Sequence, residues 1–289
     1  MTLEIKFNKL KENLNNMDRV IIAFSGGVDS TFLLKAASVS GLDKILAVTG
    51  LSESLPEEEA SFAGEIASSL KVTHRTIVTE ELSNSNYTDN PPDRCYYCKK
   101  ELFSRLREIA EQEDFTYILD GTNADDAGDW RPGSRAAREE GVKSPLLDTG
   151  LGKDEIRKLS RSLGLPTWNK PATPCLSSRF PYGQKITSEA LDRVHKAESF
   201  IRSFGVKELR VRNYTESARI EVLPEEFPIL MDNQTRLKII DYLKSLGYRY
   251  ITIDLQGFRS GSSNEVLEIK GSRVQGAEGS SEQNKKTKD

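Results

Sequence analysis

Apolar positions recur along this chain with two periods, and the order in which the periods follow one another predicts its architecture. Residues 4–17 read as a short helix. From Arg19 to Phe24 runs an apolar stretch of strand length, then the polar loop SGGVDS, then the helix-periodic residues Thr31–Ala37, with Gly41 as the helix stop. The rhythm repeats. Ile45–Thr49 is a strand, Pro56–Glu59 opens a helix reaching Leu70 with an acidic first turn that suits the helix dipole, and His74–Val78 is a third strand. A helix from about Cys95 to Glu113 leads into a fourth strand, Tyr117–Asp120, which ends in the turn Gly121–Thr122–Asn123. Strands separated by helices in this order imply an α/β fold with a parallel sheet covered on both faces, binding ligands at the carboxyl ends of its strands.

After Leu151 the texture changes. Lys153–Leu163 is helical, and Pro166–Gly183, with four prolines and one cysteine, reads as a long ordered loop, a kind of segment that tends to be functional. A helix (Ser188–Phe204), two strands (Glu208–Asn213 and Ala218–Leu223), a helix (Gln234–Leu246) and a strand (Tyr248–Leu255) then make a small α+β domain. The end of the chain, rich in Gly, Ser, Glu, Gln and Lys, carries too little apolar surface to offset the entropy of ordering and is expected to be disordered.

Composition narrows the class. With 44 acidic and 41 basic residues and a net charge of −3, the chain lacks the basic excess of a nucleic-acid binder. No apolar stretch reaches the roughly 18 residues of a membrane span, and the charged start MTLEIKFNKLKENL does not resemble a signal peptide, so the cytoplasm is the expected compartment. Three cysteines, an odd number, argue against a disulfide framework and for thiols with chemistry to do.

The loop after the first strand is the first candidate site. Walker A loops carry a lysine that reaches the terminal phosphates, and this loop has none. Its residues Ser25, Gly26, Gly27, Val28, Asp29 and Ser30 offer close backbone approach, helix-end amides and two hydroxyls to an anion, while Asp29 suits a metal ion or a structural role in the loop. Residues 20–31 resemble the PP-loop of the ATP pyrophosphatase superfamily, whose members split ATP between the α and β phosphates and adenylate an oxygen of the substrate. The resemblance implies that residues 25–30 hold pyrophosphate and that Thr49 and Gly121, at strand ends, flank the adenosine. It names the chemistry more firmly than the acceptor.

The thiols form the second. In PDRCYYCKK, Cys95 and Cys98 stand one helical turn apart and face the same way, and Cys175 comes from the long loop. Three thiolates suit a [4Fe-4S] cluster with one iron left open, a C-x-x-C pair also suits zinc or a redox dithiol, and three unconnected cysteines are the plain alternative.

Further stretches, DGTNADDAGDWRPG (120–133), WNKPATPCLSSRFPYG (168–183), LRVRNYTESARIE (209–221) and LGYRYITIDLQGFRSG (246–261), together with the loop resemble the LarE family of sulfur transferases over roughly residues 5–262. That resemblance implies residues 1–165 as a PP-loop ATP-binding domain, 166–262 as the sulfur-transfer and substrate domain, and 263–289 as a tail. It also implies that ATP, with Mg2+, adenylates a pyridinium carboxylate on a mononucleotide, and that sulfur replaces AMP to give a thiocarboxylate of the nickel-pincer cofactor pathway. Family members with a lone loop cysteine sacrifice its sulfur. Here the C-x-x-C pair is present and Pro174 stands where the sacrificial thiol would fall, which resembles the branch whose cluster, held by Cys95, Cys98 and Cys175, carries a transferable sulfide. In this reading Cys175, Ser178, Arg179 and Asp29 are catalytic candidates, Arg179, Arg210 and Arg212 bind substrate or else make solvated salt bridges, and Glu198 helps hold a metal or cation or is a surface glutamate. Asp125, Asp126 and Asp129 make an acidic turn that could seat Mg2+–ATP or serve the loop alone, and Trp168 or the Tyr96–Tyr97 pair could stack on a pyridinium ring or pack in the core. The expected partners are a small nucleotide, a sulfide source and, as an open matter, a second copy of the chain. A tRNA thiolation enzyme and an ATP-binding cluster carrier are the alternatives, the first disfavoured by the acidic balance.

Overall fold

A computed structural model of the chain describes residues 2–128, 132–171 and 173–259. It divides into two compact units, Met1–His195 and the residues from Lys196 onward. In the first, α1 (Leu3–Asn15), β1 (Arg19–Ala23), α2 (Val28–Ser38), β2 (Lys44–Leu51), α3 (Glu57–Ser69) and β3 (Thr73–Val78) alternate as the periodicity predicts. The short α4 (Ser85–Thr88), the long α5 (Arg94–Glu113) and β4 (Tyr117–Leu119) follow. The four strands form a parallel sheet in the order β3-β2-β1-β4. β1 is therefore interior, and the chain turns to its other side between β3 and β4, so the loop after β1 sits where the strand order reverses. Open parallel sheets bind ligands at that point.

The apolar run of β1 is explained by burial on both faces. Val20 and Ile22 join one core with Leu10, Leu14, Phe32 and Leu33, and Ile21 and Ala23 join the other with Phe103, Leu106 and Val48. Alternate side chains of a strand point to opposite faces, so a strand covered on both sides needs no polar positions. Each such fully buried side chain contributes about 1.5–3 kcal/mol relative to exposure.

Among the short helices that escape the sequence pattern are α6 (Pro132–Glu139) and α7 (Pro145–Asp148). α6 buries only Ala136 and Ala137, and α7 is a single turn, so neither has a row of large apolar residues to read. α8 (Lys153–Ser162) follows, and α9 (Ser188–Arg202) carries the chain out of the first unit. The expected boundary at 165/166 lies inside the first unit. Backbone bonds tie the following segment there: Leu176 N–H donates to Ser54 O at 2.9 Å, Gly183 N–H to Asn90 O at 2.9 Å and Ile186 N–H to Thr88 O at 2.8 Å.

The second unit is the expected α+β arrangement. β5 (Leu209–Tyr214) pairs antiparallel with β6 (Ser217–Val222), and β6 pairs parallel with β7 (Tyr250–Ile253). α10 (Phe227–Met231) and α11 (Asn233–Ser245) lie between β6 and β7 in the chain, and Leu230, Ile239 and Leu243 close a core with Val211, Ile220 and Tyr248. Among the described residues no helix is long and apolar enough to cross a membrane. Asp129 and the tail 263–289 lie outside the described residues.

Candidate functional site

The phosphate loop is built by backbone geometry. Gly26 has φ +66°, and a Cβ there would stand 3.1 Å from Cα and Cβ of Ala63 on α3, so both conformation and space require glycine. Gly27 is the N-cap of α2 and supplies no side-chain cap, which leaves the first-turn amides of that helix to other acceptors. The two hydroxyls meet across the loop: Ser25 Oγ lies 3.1 Å from Ser30 Oγ, and Gly27 N–H donates to Ser25 Oγ at 3.4 Å. Gly121, after β4, closes the other side, since a Cβ there would come 3.0 Å from Ser30 N. The structure thus brings 25–30 and Gly121 together as a cradle of amides and hydroxyls, an arrangement that binds anions.

Asp29, in the first turn of α2, pairs with Lys153 of α8 through Oδ2, while its buried Oδ1 has no hydrogen-bond partner. A carboxylate oxygen left bare beside an anion cradle suits Mg2+, a hard cation that takes carboxylate and phosphate oxygens together. Thr49, expected beside adenosine, is buried; its hydroxyl donates to Phe24 O at 2.7 Å and lies 2.8 Å from His74 Nε2. With the Thr49 proton on the carbonyl, His74 Nε2 must be the donor of the second bond. Burial lowers the His74 pKa below the usual histidine value, so the ring stays neutral.

The acidic turn serves the loop. Asp125 Oδ2 accepts from Lys153 N–H at 2.7 Å, holding the start of α8, and Asp126 Oδ2 accepts from Asn123 N–H at 3.0 Å. Sequence reasoning passed over Lys153 and also Lys170. Lys170 Nζ lies 2.8 Å from Glu59 Oε2, 3.4 Å from Gly26 O, and 3.9 Å from the centre of the Phe62 ring. The absence of a lysine inside the loop was the signal that could have prompted a search for cations elsewhere.

Cys95 and Cys98 lie in the first turns of α5, and Cys175 immediately precedes the short 3-10 turn Leu176–Arg179. Cys95 is exposed, the other two are half-buried, and no disulfide joins them. Burial pushes the Cys98 thiol well above the ordinary thiol range, and Glu81, Cys175 and Cys95 push it further. Burial likewise raises the Tyr87 phenol, with Cys175, Cys98 and Glu81 adding to it against a bond to Ser177. The three thiols therefore share one electrostatic neighbourhood. Among the described residues, however, no three histidine, cysteine or acidic side chains are gathered as a metal-binding group. Glu81, missed in the sequence, is buried, accepts from Ser54 Oγ at 3.2 Å through Oε1, and keeps Oε2 without a partner. Thiolates are the donors of iron–sulfur clusters, and Cys95, Cys98 and Cys175 are the donor type that such a group would use.

Arg179 is buried and staples the turn that carries Cys175: its Nη1 donates to Pro174 O at 2.8 Å, Cys175 O at 3.3 Å and Ser178 Oγ at 3.0 Å. Ser178 N–H donates to Cys175 O at 3.0 Å, and Ser177 Oγ lies 2.6 Å from Tyr87 Oη. The aromatic candidates have partners in place: Arg161 lies over Trp168 at 4.9 Å, Arg135 over Tyr96 at 3.8 Å, and Tyr96 meets Tyr97 edge to face.

In the second unit, Arg210 and Arg212 share one face of β5, as alternate residues of a strand must. Arg210 lies over Phe258 at 4.4 Å, and the buried Arg212 donates from Nε to both oxygens of Glu221 at 3.0 Å. Glu198, almost fully buried, accepts from Val211 N–H at 3.0 Å and from Arg202 at 2.9 Å, so its carboxylate already joins α9 to β5.

No family model matches the chain. It is 43% identical to an uncharacterised protein of Synechocystis sp., over 92% of this chain and 99% of that protein. It is 41% identical to the pyridinium-3,5-bisthiocarboxylic acid mononucleotide synthase of Lactiplantibacillus plantarum, over 92% of this chain and 96% of the synthase. A more distant likeness, 29% identity over 57% of this chain and 56% of the relative, joins it to one subunit of the glutamine-hydrolysing GMP synthase of Methanococcus maripaludis.

Proposed function

The chain belongs to the LarE family of ATP-dependent sulfurtransferases, and we propose that it converts a carboxylate of a pyridinium mononucleotide to a thiocarboxylate, as the name of its Lactiplantibacillus relative describes. The observation that carries the reading is the cradle at 25–30, with its uncapped helix end and the bare oxygen of Asp29 at the point where the strand order reverses.

The chemistry has two displacements. A substrate carboxylate oxygen attacks the α-phosphorus of ATP, the bond to the β-phosphate breaks, and pyrophosphate leaves. The amides of residues 26–30 and the hydroxyls of Ser25 and Ser30 neutralise that leaving charge as it develops, which is the electrostatic role of a preformed donor set. Asp29 would hold Mg2+, which would supply further positive charge to the phosphates. Sulfur then attacks the activated carboxyl carbon and AMP departs. Arg179 keeps the Cys175 turn in shape, with Ser178 inside the same bond network. Guanidinium geometry suits a phosphate or a carboxylate, so Arg210 and Arg212 stay candidates for the substrate's anionic groups, Arg212 by exchanging its bond to Glu221.

In this reading Cys95, Cys98 and Cys175 hold a [4Fe-4S] cluster. Bound there, it supplies an open iron position at which sulfide is kept as the sulfur source. Thiols that must stay reduced, and ATP as co-substrate, put the reaction in the cytoplasm.

Anaerobic incubation of the full chain with ATP, Mg2+, sulfide and pyridinium-3,5-dicarboxylate mononucleotide tests this. Substrate-dependent AMP and pyrophosphate, with a product in which sulfur replaces oxygen and Cys175 intact by mass spectrometry, is the expected result. Protein without iron or acid-labile sulfide that is fully active removes the cluster. A protein that loses sulfur from Cys175 points to self-sacrifice instead. Absence of pyrophosphate ends the whole reading.

A further inference from the structure

A triphosphate needs more positive charge than backbone amides supply, and the loop 25–30 contains only one charged side chain, an acid. Beyond a metal ion at Asp29, any side-chain cation must come from elsewhere in the fold. Two lysines reach the loop, and their situations differ. Lys153 is neutralised by Asp29 within the loop itself. Lys170 stands at the loop's edge, 3.4 Å from the carbonyl of Gly26, and its charge is taken up by Glu59 of α3 at 2.8 Å.

Glu59 has a second source of stabilisation. Its carboxylate lies in the first turn of α3, where the helix dipole already stabilises an anion. The lysine is not placed loosely. The backbone around it is held by Arg157, which donates to Trp168 O at 2.8 Å and Lys170 O at 3.0 Å. The aliphatic stem and ammonium lie against Phe62, and only 18% of the side chain is exposed. An ammonium has three donors, and Glu59 and Gly26 take two of them. A fixed backbone with a long side chain parked on a surrogate anion beside an anion cradle is the form of a ligand-exchange contact.

We infer that Lys170 is the phosphate-binding lysine of this loop, resting on Glu59 when the cradle is empty and exchanging that carboxylate for the β- and γ-phosphates of a nucleoside triphosphate, and then for released pyrophosphate. This deepens the nucleotide reading above and rests on it. Lys170 then fills from a distant segment the role that Walker A loops give to a residue of their own.

Calorimetric titration of the full chain with Mg2+–ATP, Mg2+–pyrophosphate and AMP, in wild type, K170M, K170R and E59Q, tests it. K170M is expected to weaken ATP and pyrophosphate about tenfold or more and leave AMP within about twofold, since AMP has no β-phosphate. K170R is expected to recover most of the loss. E59Q is expected to tighten ATP about threefold, because the lysine no longer has a competing carboxylate. A structural ion pair behaves otherwise: both K170M and E59Q would then weaken ATP alike, which overturns the inference, as does a K170M loss equal for AMP and ATP. Wild type that binds ATP with K170M unchanged also overturns it and leaves the nucleotide reading standing. Wild type that binds no ATP removes both. If K170M does not fold, the direction of the E59Q change decides alone.

Discussion

The phosphate cradle and the thiol corner belong to the same unit and are held together by opposite means. The cradle is a backbone object. Gly26 and Gly121 let main chains approach, Gly27 leaves helix amides uncapped, and the hydroxyls of Ser25 and Ser30 bond to each other within six residues of sequence. The corner is a side-chain object, assembled from α5, the residues after β3 and the loop before Leu176, in which burial first and then the neighbouring Glu81 and Cys175 raise the Cys98 thiol and the Tyr87 phenol. A backbone site is ready for its ligand before the ligand arrives. A corner in which burial and acidic neighbours raise a thiol and a phenol favours a positive partner.

The largest expected effect separates the two. Cys98→Ser should lower sulfur transfer about 100-fold or more while ATP binding by calorimetry stays within about twofold of wild type, because only the corner is touched. Equal loss of both would mean that the cradle depends on the thiols, and the contrast would fail. Next in size, Gly26→Ala puts a Cβ against Ala63 in a left-handed backbone position, and should cost about 1–3 kcal/mol of stability by denaturant titration and weaken ATP binding with it. If stability alone drops and nucleotide affinity is kept, the loop's shape is not what binds.

The smallest effect is a dependence on pH. His74 has its pKa lowered by burial, so the unfolded chain takes up a proton at a higher pH than the folded one does. The stability its neutral form contributes is complete above the unfolded histidine value, about 6.5, and declines as pH falls from there toward the lower folded value. Thermal melts between pH 7.5 and 5.5, about the range of that titration, should show a steeper decline in wild type than in His74→Gln, which can still donate to Thr49. Equal slopes would remove His74 from the account of how β1, β2 and β3 are joined beneath the cradle.

Much of this was readable in advance, and the reasons are local. The apolar runs of β1 and β2 predict strands buried on both faces, and the glycines and serines of 25–30 carry their conformational demands in their own chemistry. The spacing of Cys95 and Cys98 needs only a helix to place both sulfurs on one side. Arg179 is legible as important from its place beside Cys175, while its bonds to the carbonyls of Pro174 and Cys175 are visible only in the fold. Asp125 was legible as part of an acidic turn, while its partner, the Lys153 amide, lies 28 residues away.

What the sequence by itself determined is therefore the parallel sheet, the anion loop and the presence of thiols, since each follows from periodicity or from the conformational freedom of residues near one another in the chain. The tertiary structure alone decided which charges meet: Lys153 with Asp29 across 124 residues, Lys170 with Glu59 across 111, and Glu81 beside Cys98 in a buried corner. Long-range ion pairs have no period and no spacing; they exist only because packing brings two surfaces into register, and packing is a property of the whole unit.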